Sequence, residues 1–122
     1  MDKLILVVED QPDNQQILRD LLGDAGYRLV EAWDGETAVE RTASDRPDLI
    51  LMDLQLPRMG GYEATRRIRL LPEAGATPII AVTSYALTGD EERARQAGCD
   101  AYVSKPYSPR QLLKKIRELA PN

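Results

Sequence analysis

Histidine is absent from this chain of 122 residues. No imidazole base, histidine metal ligand or phosphohistidine can form on it. Cysteine is scarce: Cys99 stands alone, so no internal disulfide is possible, which suits a reducing, cytoplasmic setting. Long hydrophobic runs are missing as well. The apolar stretches are strand-length, far short of the roughly 20 residues a membrane helix needs. The start, MDK, turns straight into such a stretch and leaves no room for a signal peptide. Positive charge is in deficit, and a net charge of −4 argues against a nucleic-acid surface. The basic runs Arg66-Arg67-Arg69 and Lys114-Lys115-Arg117 fall in the later turns of predicted helices, where they complement the helix dipole. No linker, low-complexity tract or repeat interrupts the chain.

What is present reads as one globular domain over residues 1–122, with 43% hydrophobic and 30% charged residues. Lys3–Val8 is a continuous run rich in Ile, Leu and Val, the pattern of a strand buried on both faces. Asp13-Asn14-Gln15-Gln16 reads as a capping box for a helix with Ile17, Leu18, Leu21, Leu22 and Ala25 on its apolar stripe, ending at Gly26. Tyr27–Ala32 is a second strand. Asp34-Gly35 opens a helix that ends before Pro47, and Leu49–Met52 is a third strand closed by Asp53. A loop over 54–61 precedes a helix over Tyr62–Leu71, stopped by Pro72. Ile79–Val82 is a fourth strand ending in Thr83-Ser84, and Thr88-Gly89-Asp90-Glu91 caps a helix running to Gly98. Tyr102-Val103 centres a fifth strand that ends at Lys105-Pro106. Ser108-Pro109 starts the last helix, with Leu112, Leu113, Ile116 and Leu119 inward. Met1 lies close to the first strand and Ala120-Pro121-Asn122 closes the last helix, which favours a stand-alone protein.

Alternating strands and helices imply an α/β fold with a parallel sheet and helices on both faces. In such sheets function gathers beyond the carboxyl ends of the strands, at the switch in strand order. The residues that end the strands are Glu9-Asp10, Ala32-Trp33, Asp53, Thr83-Ser84 and Lys105. Three carboxylates face a single ammonium. Crowded carboxylates must take up protons or bind a cation, and an all-oxygen set with few carboxylates suits Mg²⁺. A hard cation beside a carboxylate and a lysine can neutralise a phosphoryl group during in-line transfer, with Asp53 as nucleophile. Thr83 could then donate to one phosphoryl oxygen and Lys105 pair with another.

Taken in order, ED near the start, the D of LILMDLQLPRMGG, TS in IIAVTSYA and KP in AYVSKP resemble the receiver domain of two-component response regulators over nearly the whole chain. The segments MDLQLPRMGGYEATRRIR and GDEERARQAGCDAYVSKP are similar to receivers of hybrid sensor kinases and of some stand-alone regulators. Leu56 and Gly60 depart from the residues common at those positions, Met and Asp. The resemblance implies a flavodoxin-like, doubly wound five-stranded parallel sheet of order 2-1-3-4-5 with five helices. It implies phosphoryl transfer from the phosphohistidine of a kinase or phosphotransfer protein onto Asp53, and no metabolic reaction. The implied Mg²⁺ (or Mn²⁺) is held by Asp10, Asp53 and the backbone carbonyl of Gln55, with Glu9 acting through water. A cis bond before Pro106 is implied too. Gln55 and Tyr85 would flank the water that removes the phosphoryl group, and the bulk of Tyr85 would lengthen its lifetime. Thr83 and Tyr102 would act as the switch. Tyr85, Ala86, Leu87, Tyr107 and Arg110 would lie on or near the downstream partner's face, made by the fourth helix, fifth strand and fifth helix. An intermediate receiver in a phosphorelay, a phosphate sink and the receiver segment of a larger hybrid kinase remain alternatives.

Rival classes fit less well. A flavin-binding flavodoxin needs a hydroxyl- and glycine-rich loop after the first strand, where EDQPD would repel a phosphate. A haloacid-dehalogenase-type phosphohydrolase wants a second Asp two positions after the nucleophile, where Gln55 stands. Singly, Glu9 or Asp10 is an acid at a helix start, Thr83 a satisfied hydroxyl, Lys105 a surface lysine and Tyr102 core. No packing argument gathers them all at one sheet edge.

Overall fold

The computed structural model describes residues 2–84 and 89–121. Among the described residues five strands alternate with five helices: β1 Leu4–Val8, α1 Pro12–Asp24, β2 Arg28–Ala32, α2 Gly35–Asp45, β3 Leu49–Asp53, α3 Gly60–Arg69, β4 Ile79–Thr83, α4 Asp90–Ala97, β5 Ala101–Ser104 and α5 Pro109–Leu119. All neighbouring strands are parallel, and the order across the sheet is β2-β1-β3-β4-β5. This is the flavodoxin-like arrangement that the family resemblance implies.

The period-two alternation of each strand splits the apolar side chains between two cores. Ile5, Val7, Leu49, Leu51, Ile80, Val82 and Val103 face Leu18 and Leu22 of α1 and Leu112 and Ile116 of α5. Leu6, Val8, Ile50, Met52, Ile79 and Ala81 face Ala38, Ala64, Ile68 and Ala94 of α2, α3 and α4. A sheet covered on both sides leaves only its edges for chemistry. Because β1 is flanked by β2 and β3, the chain reverses direction across the sheet there, and a crevice opens beyond β1 and β3.

Several helix starts differ from the sequence reading. α1 begins at Pro12, with Gln11 at its N-cap and no side-chain cap; Gln16, the far half of the expected capping box, instead donates its Nε2 to Asp20 Oδ1 at 2.9 Å. Ile17 lies outside the apolar stripe and is 57% exposed. α3 begins at Gly60 inside the expected loop. α4 begins at Asp90 after Gly89, which has a positive φ of 91° and offers no side-chain cap. Thr88, the expected cap, lies outside the described residues. At α2 and α5 the expected caps are found: Thr37 N donates to Asp34 Oδ1 at 2.8 Å and Gln111 N to Ser108 Oγ at 3.4 Å.

The early start of α3 depends on Gly61. A Cβ there would lie 2.8 Å from Leu54 Cα and also against the backbone oxygen of Asp53, both main-chain atoms that cannot swing aside. The absence of a side chain lets α3 pack onto the end of β3. Gly61→Ala should therefore destabilise the protein by about 1–3 kcal/mol in a denaturant titration, as overpacking does. Unchanged stability would show that the backbone there yields freely.

Candidate functional site

The strand ends place the site. Glu9 follows β1, and its N–H donates to Ala32 O at 3.0 Å, so pairing with β2 runs one residue past the strand. Asp53 is the last residue of β3, Thr83 the last of β4, and Lys105 follows β5. Lys105 N donates to Thr83 O at 2.7 Å, drawing the segment after β5 against the end of β4. The Lys105–Pro106 peptide is cis.

Glu9, Asp53 and Thr83 are buried, at 2%, 5% and 0% exposure, while Asp10 is half-buried. Lys105 Nζ donates to Glu9 Oε1 at 2.9 Å and stands 3.9 Å from Asp53 Oδ2. Gln11 N donates to Glu9 Oε2 at 3.1 Å, and Gln55 N to Asp53 Oδ1 at 2.9 Å. Glu9, Asp10 and Asp53 each offer a carboxylate oxygen within 4.8 Å of the other two. With one ammonium among three carboxylates, the charges do not balance. Burial pushes the Asp53 carboxyl up to about 6, and the Glu9 charge adds to this against the opposing Gln55 N–H. Burial also disfavours the Glu9 anion, but the bonds from Lys105 and Gln11 outweigh it and hold that carboxyl below its ordinary range. An oxygen-only cluster with surplus negative charge fits a hard divalent ion such as Mg²⁺, with water completing its shell.

The structure thus brings together Glu9, Asp10, Asp53, Gln55, Thr83 and Lys105, as the sequence suggests. The side chain of Gln55 does more than expected: its Nε2 donates to Thr83 Oγ1 and its Oε1 accepts from Ser84 N at 2.9 Å, tying the end of β3 to the end of β4. Tyr102 packs against the core that includes Ala64 and Ile68 of α3 and Ala94 of α4. Tyr107 packs on the opposite core and lines an apolar cleft beside Lys105 with Ile17 and Pro106, while Arg110 is exposed in the first turn of α5. Tyr85, Ala86 and Leu87 lie outside the described residues.

Sequence reasoning missed Gln15. Its side chain is 1% exposed, and its Nε2 donates to Glu9 O at 3.0 Å and to Val7 O and Ala32 O at 3.4 Å each. The available signal was its spacing: Gln15, Leu18 and Leu22 share one face, so a polar side chain sits on the buried stripe of α1.

Residues 5–117 match the response regulator receiver domain family. The chain is 43% identical over 117 residues to the polar-differentiation response regulator DivK of Brucella anthropi, a match covering 96% of this chain and 95% of the relative. Against DivK of Brucella ovis the identity is 42%, with the same coverage. Among solved structures, the receiver domain of a sensor histidine kinase from Pseudomonas aeruginosa PAO1 has a magnesium ion coordinated in its active-site cleft. It is similar at a TM-score of 0.90 and 40% identity over 98% of each chain. Chemotaxis protein CheY4 of Vibrio cholerae gives a TM-score of 0.91 at 28% identity, covering 98% of this chain and 99% of that one. The chain belongs to the response regulator receiver domain family of two-component systems.

The charge imbalance has a measurable outcome. In the metal-free protein Asp53 holds its proton to a higher pH when folded than when unfolded. Its contribution to stability is present below the ordinary carboxylate value near 4 and is lost as pH rises through about 6. At about pH 7.5 without metal, Asp53→Asn should therefore melt higher than the parent, and its stability should change less across pH 4–6.5. Mg²⁺ should raise the Tm of the parent and much less that of the variant. Equal metal responses would show that Asp53 is not part of a cation site.

Proposed function

We propose that residues 1–122 act as one phosphoacceptor switch. Asp53 would receive a phosphoryl group from the phosphohistidine of a partner kinase or phosphotransfer protein, in the cytoplasm and without direct contact to nucleic acid. The observation that carries this reading is the buried Asp53 carboxylate at the topological switch, flanked by two further acids and faced by Lys105 and Thr83. Mg²⁺, or Mn²⁺ in its place, would be held by Asp10, Asp53 and the Gln55 carbonyl, with Glu9 acting through water. When bound, the ion would supply positive charge to the phosphoryl oxygens. The magnesium in the cleft of the Pseudomonas receiver supports this choice of ion.

The chain's own groups account for the rest. An Asp53 oxygen attacks phosphorus, the O–P bond forming as the N–P bond breaks and its electron pair returns to the donor imidazole. Lys105 offsets charge on one phosphoryl oxygen and the Thr83 hydroxyl donates to another. Among the described residues no helix is long and apolar enough to cross a membrane. A second reading, a receiver serving as one segment of a larger kinase or as a relay, is favoured by the 40% identity to the receiver of a sensor histidine kinase.

The central claim is tested with a small acyl phosphate and Mg²⁺. Intact mass should show one added phosphoryl group on the parent and none on Asp53→Asn. A full-yield label on the variant would remove Asp53 from its role.

The output step is tested separately. Phosphorylation should draw the Thr83 hydroxyl toward Asp53, with Tyr102 moving in response and altering the face formed by α4, β5 and α5. That face would carry Tyr107 and Arg110. Thr83→Ala should still accept the phosphoryl group yet lose most of the phosphorylation-dependent gain in partner affinity. A full response in that variant would exclude the hydroxyl as the link.

A further inference from the structure

The peptide that joins Glu9 to Asp10 is the hinge on which both acids hang. Its carbonyl belongs to Glu9 and its N–H to Asp10, so holding that plane places both Cα atoms and, with the Glu9 N–H tied to Ala32 O, restricts the directions from which the side chains leave the backbone. Gln15 Nε2 donates to this carbonyl at 3.0 Å. The same nitrogen also lies within 3.4 Å of Val7 O and Ala32 O, so it gathers the ends of β1 and β2 at one point. Three carbonyls converging on it leave no doubt which end of the amide faces the strands, since an amide oxygen there would be repelled.

The other half of this side chain shows what the arrangement costs. Gln15 Oε1 is buried and has no hydrogen-bond partner among the described residues. A residue kept for packing alone would be apolar, like Leu18 and Leu22 on the same stripe, and would leave no amide oxygen unsatisfied. The polar residue stands on the face of α1 directed at the end of β1. α1 otherwise meets the sheet through Leu18 and Leu22, lower on the strands.

We infer that Gln15 is a positioning residue for the acid edge: its buried amide clamps the Glu9–Asp10 peptide so that both carboxylates face one cation. Gln11 N holds Glu9 from the other side at 3.1 Å, so the two acids are fixed by the first turn of α1 and its N-cap together. The inference rests on the cation site proposed above and adds a residue outside the ligand set.

The test compares Mg²⁺ affinity, by calorimetry or NMR titration with magnesium chloride, in the parent, Gln15→Met and Leu22→Ala. Methionine keeps the length and bulk of the side chain and removes the donor. Gln15→Met should bind Mg²⁺ roughly tenfold more weakly or worse, the usual scale for losing a group that orients metal ligands. Leu22→Ala removes a fully buried side chain from the same helix and should lower the Tm while leaving Mg²⁺ affinity unchanged. Undiminished binding by Gln15→Met, with normal binding by the parent, overturns this inference alone. Failure of the parent to bind overturns the cation reading and this inference with it. Should Gln15→Met not fold, the parent decides the matter. On addition of Mg²⁺ the Gln15 side-chain amide resonance should shift in step with the backbone amides of Glu9 and Asp10. A stationary side-chain resonance would refute the clamp.

Discussion

Three carboxylates within 4.8 Å of one another, two of them buried, are the constraint around which the rest of this molecule is arranged. Buried like charges are unfavourable, and folding does not neutralise them here, because a single ammonium from Lys105 stands among them. The fold tolerates the arrangement because the two flanking cores are apolar and well filled, and because backbone N–H groups of Gln11 and Gln55 each support one acid. The strain is local, and the proposed cation would relieve it.

The sheet order makes that crowding possible. β1 and β3 are adjacent, so the residue after one and the last residue of the other share the same crevice. β4 and β5 then follow on the β3 side and bring Thr83 and Lys105 in turn. The two glutamines serve this geometry from opposite directions. Gln15 reaches the ends of β1 and β2 from α1, and Gln55 crosses from β3 to Thr83 and Ser84 at the end of β4. Each ties the backbone of two strands at the level where pairing runs out. Gly61 works in the same place by subtraction, since any side chain there would press on the carbonyl side of Asp53.

Much of this could be read along the chain. Short apolar stretches, the first, third and fourth of them runs of Ile, Leu and Val closed by an acid or a hydroxyl, are local patterns, and they marked the strands and the residues that end them to within one position. Asp34 and Ser108 announced their helices because a capping side chain acts on a backbone N–H three residues away. The start of α1 was misplaced because Asp13 and Gln16 have the spacing of a capping box, whereas the helix already begins at Pro12 and the Gln16 amide donates to Asp20 one turn further on. α3 was placed two residues late because Gly60 and Gly61 signal a loop by composition, yet here they permit close packing on β3.

The sequence by itself therefore determined the elements, the apolar runs of the inner strands and which functional groups would stand at the strand ends, since each depends on neighbours a few residues apart. The tertiary structure alone decided how near those groups come, which of them are buried, and that Asp53 is driven toward its protonated form while Glu9 is not. It also decided that Tyr102 packs under α3 and α4 while Tyr107 lies on the other core. Those outcomes depend on distances and solvent exclusion between segments remote in the chain, and no local pattern of residues encodes them.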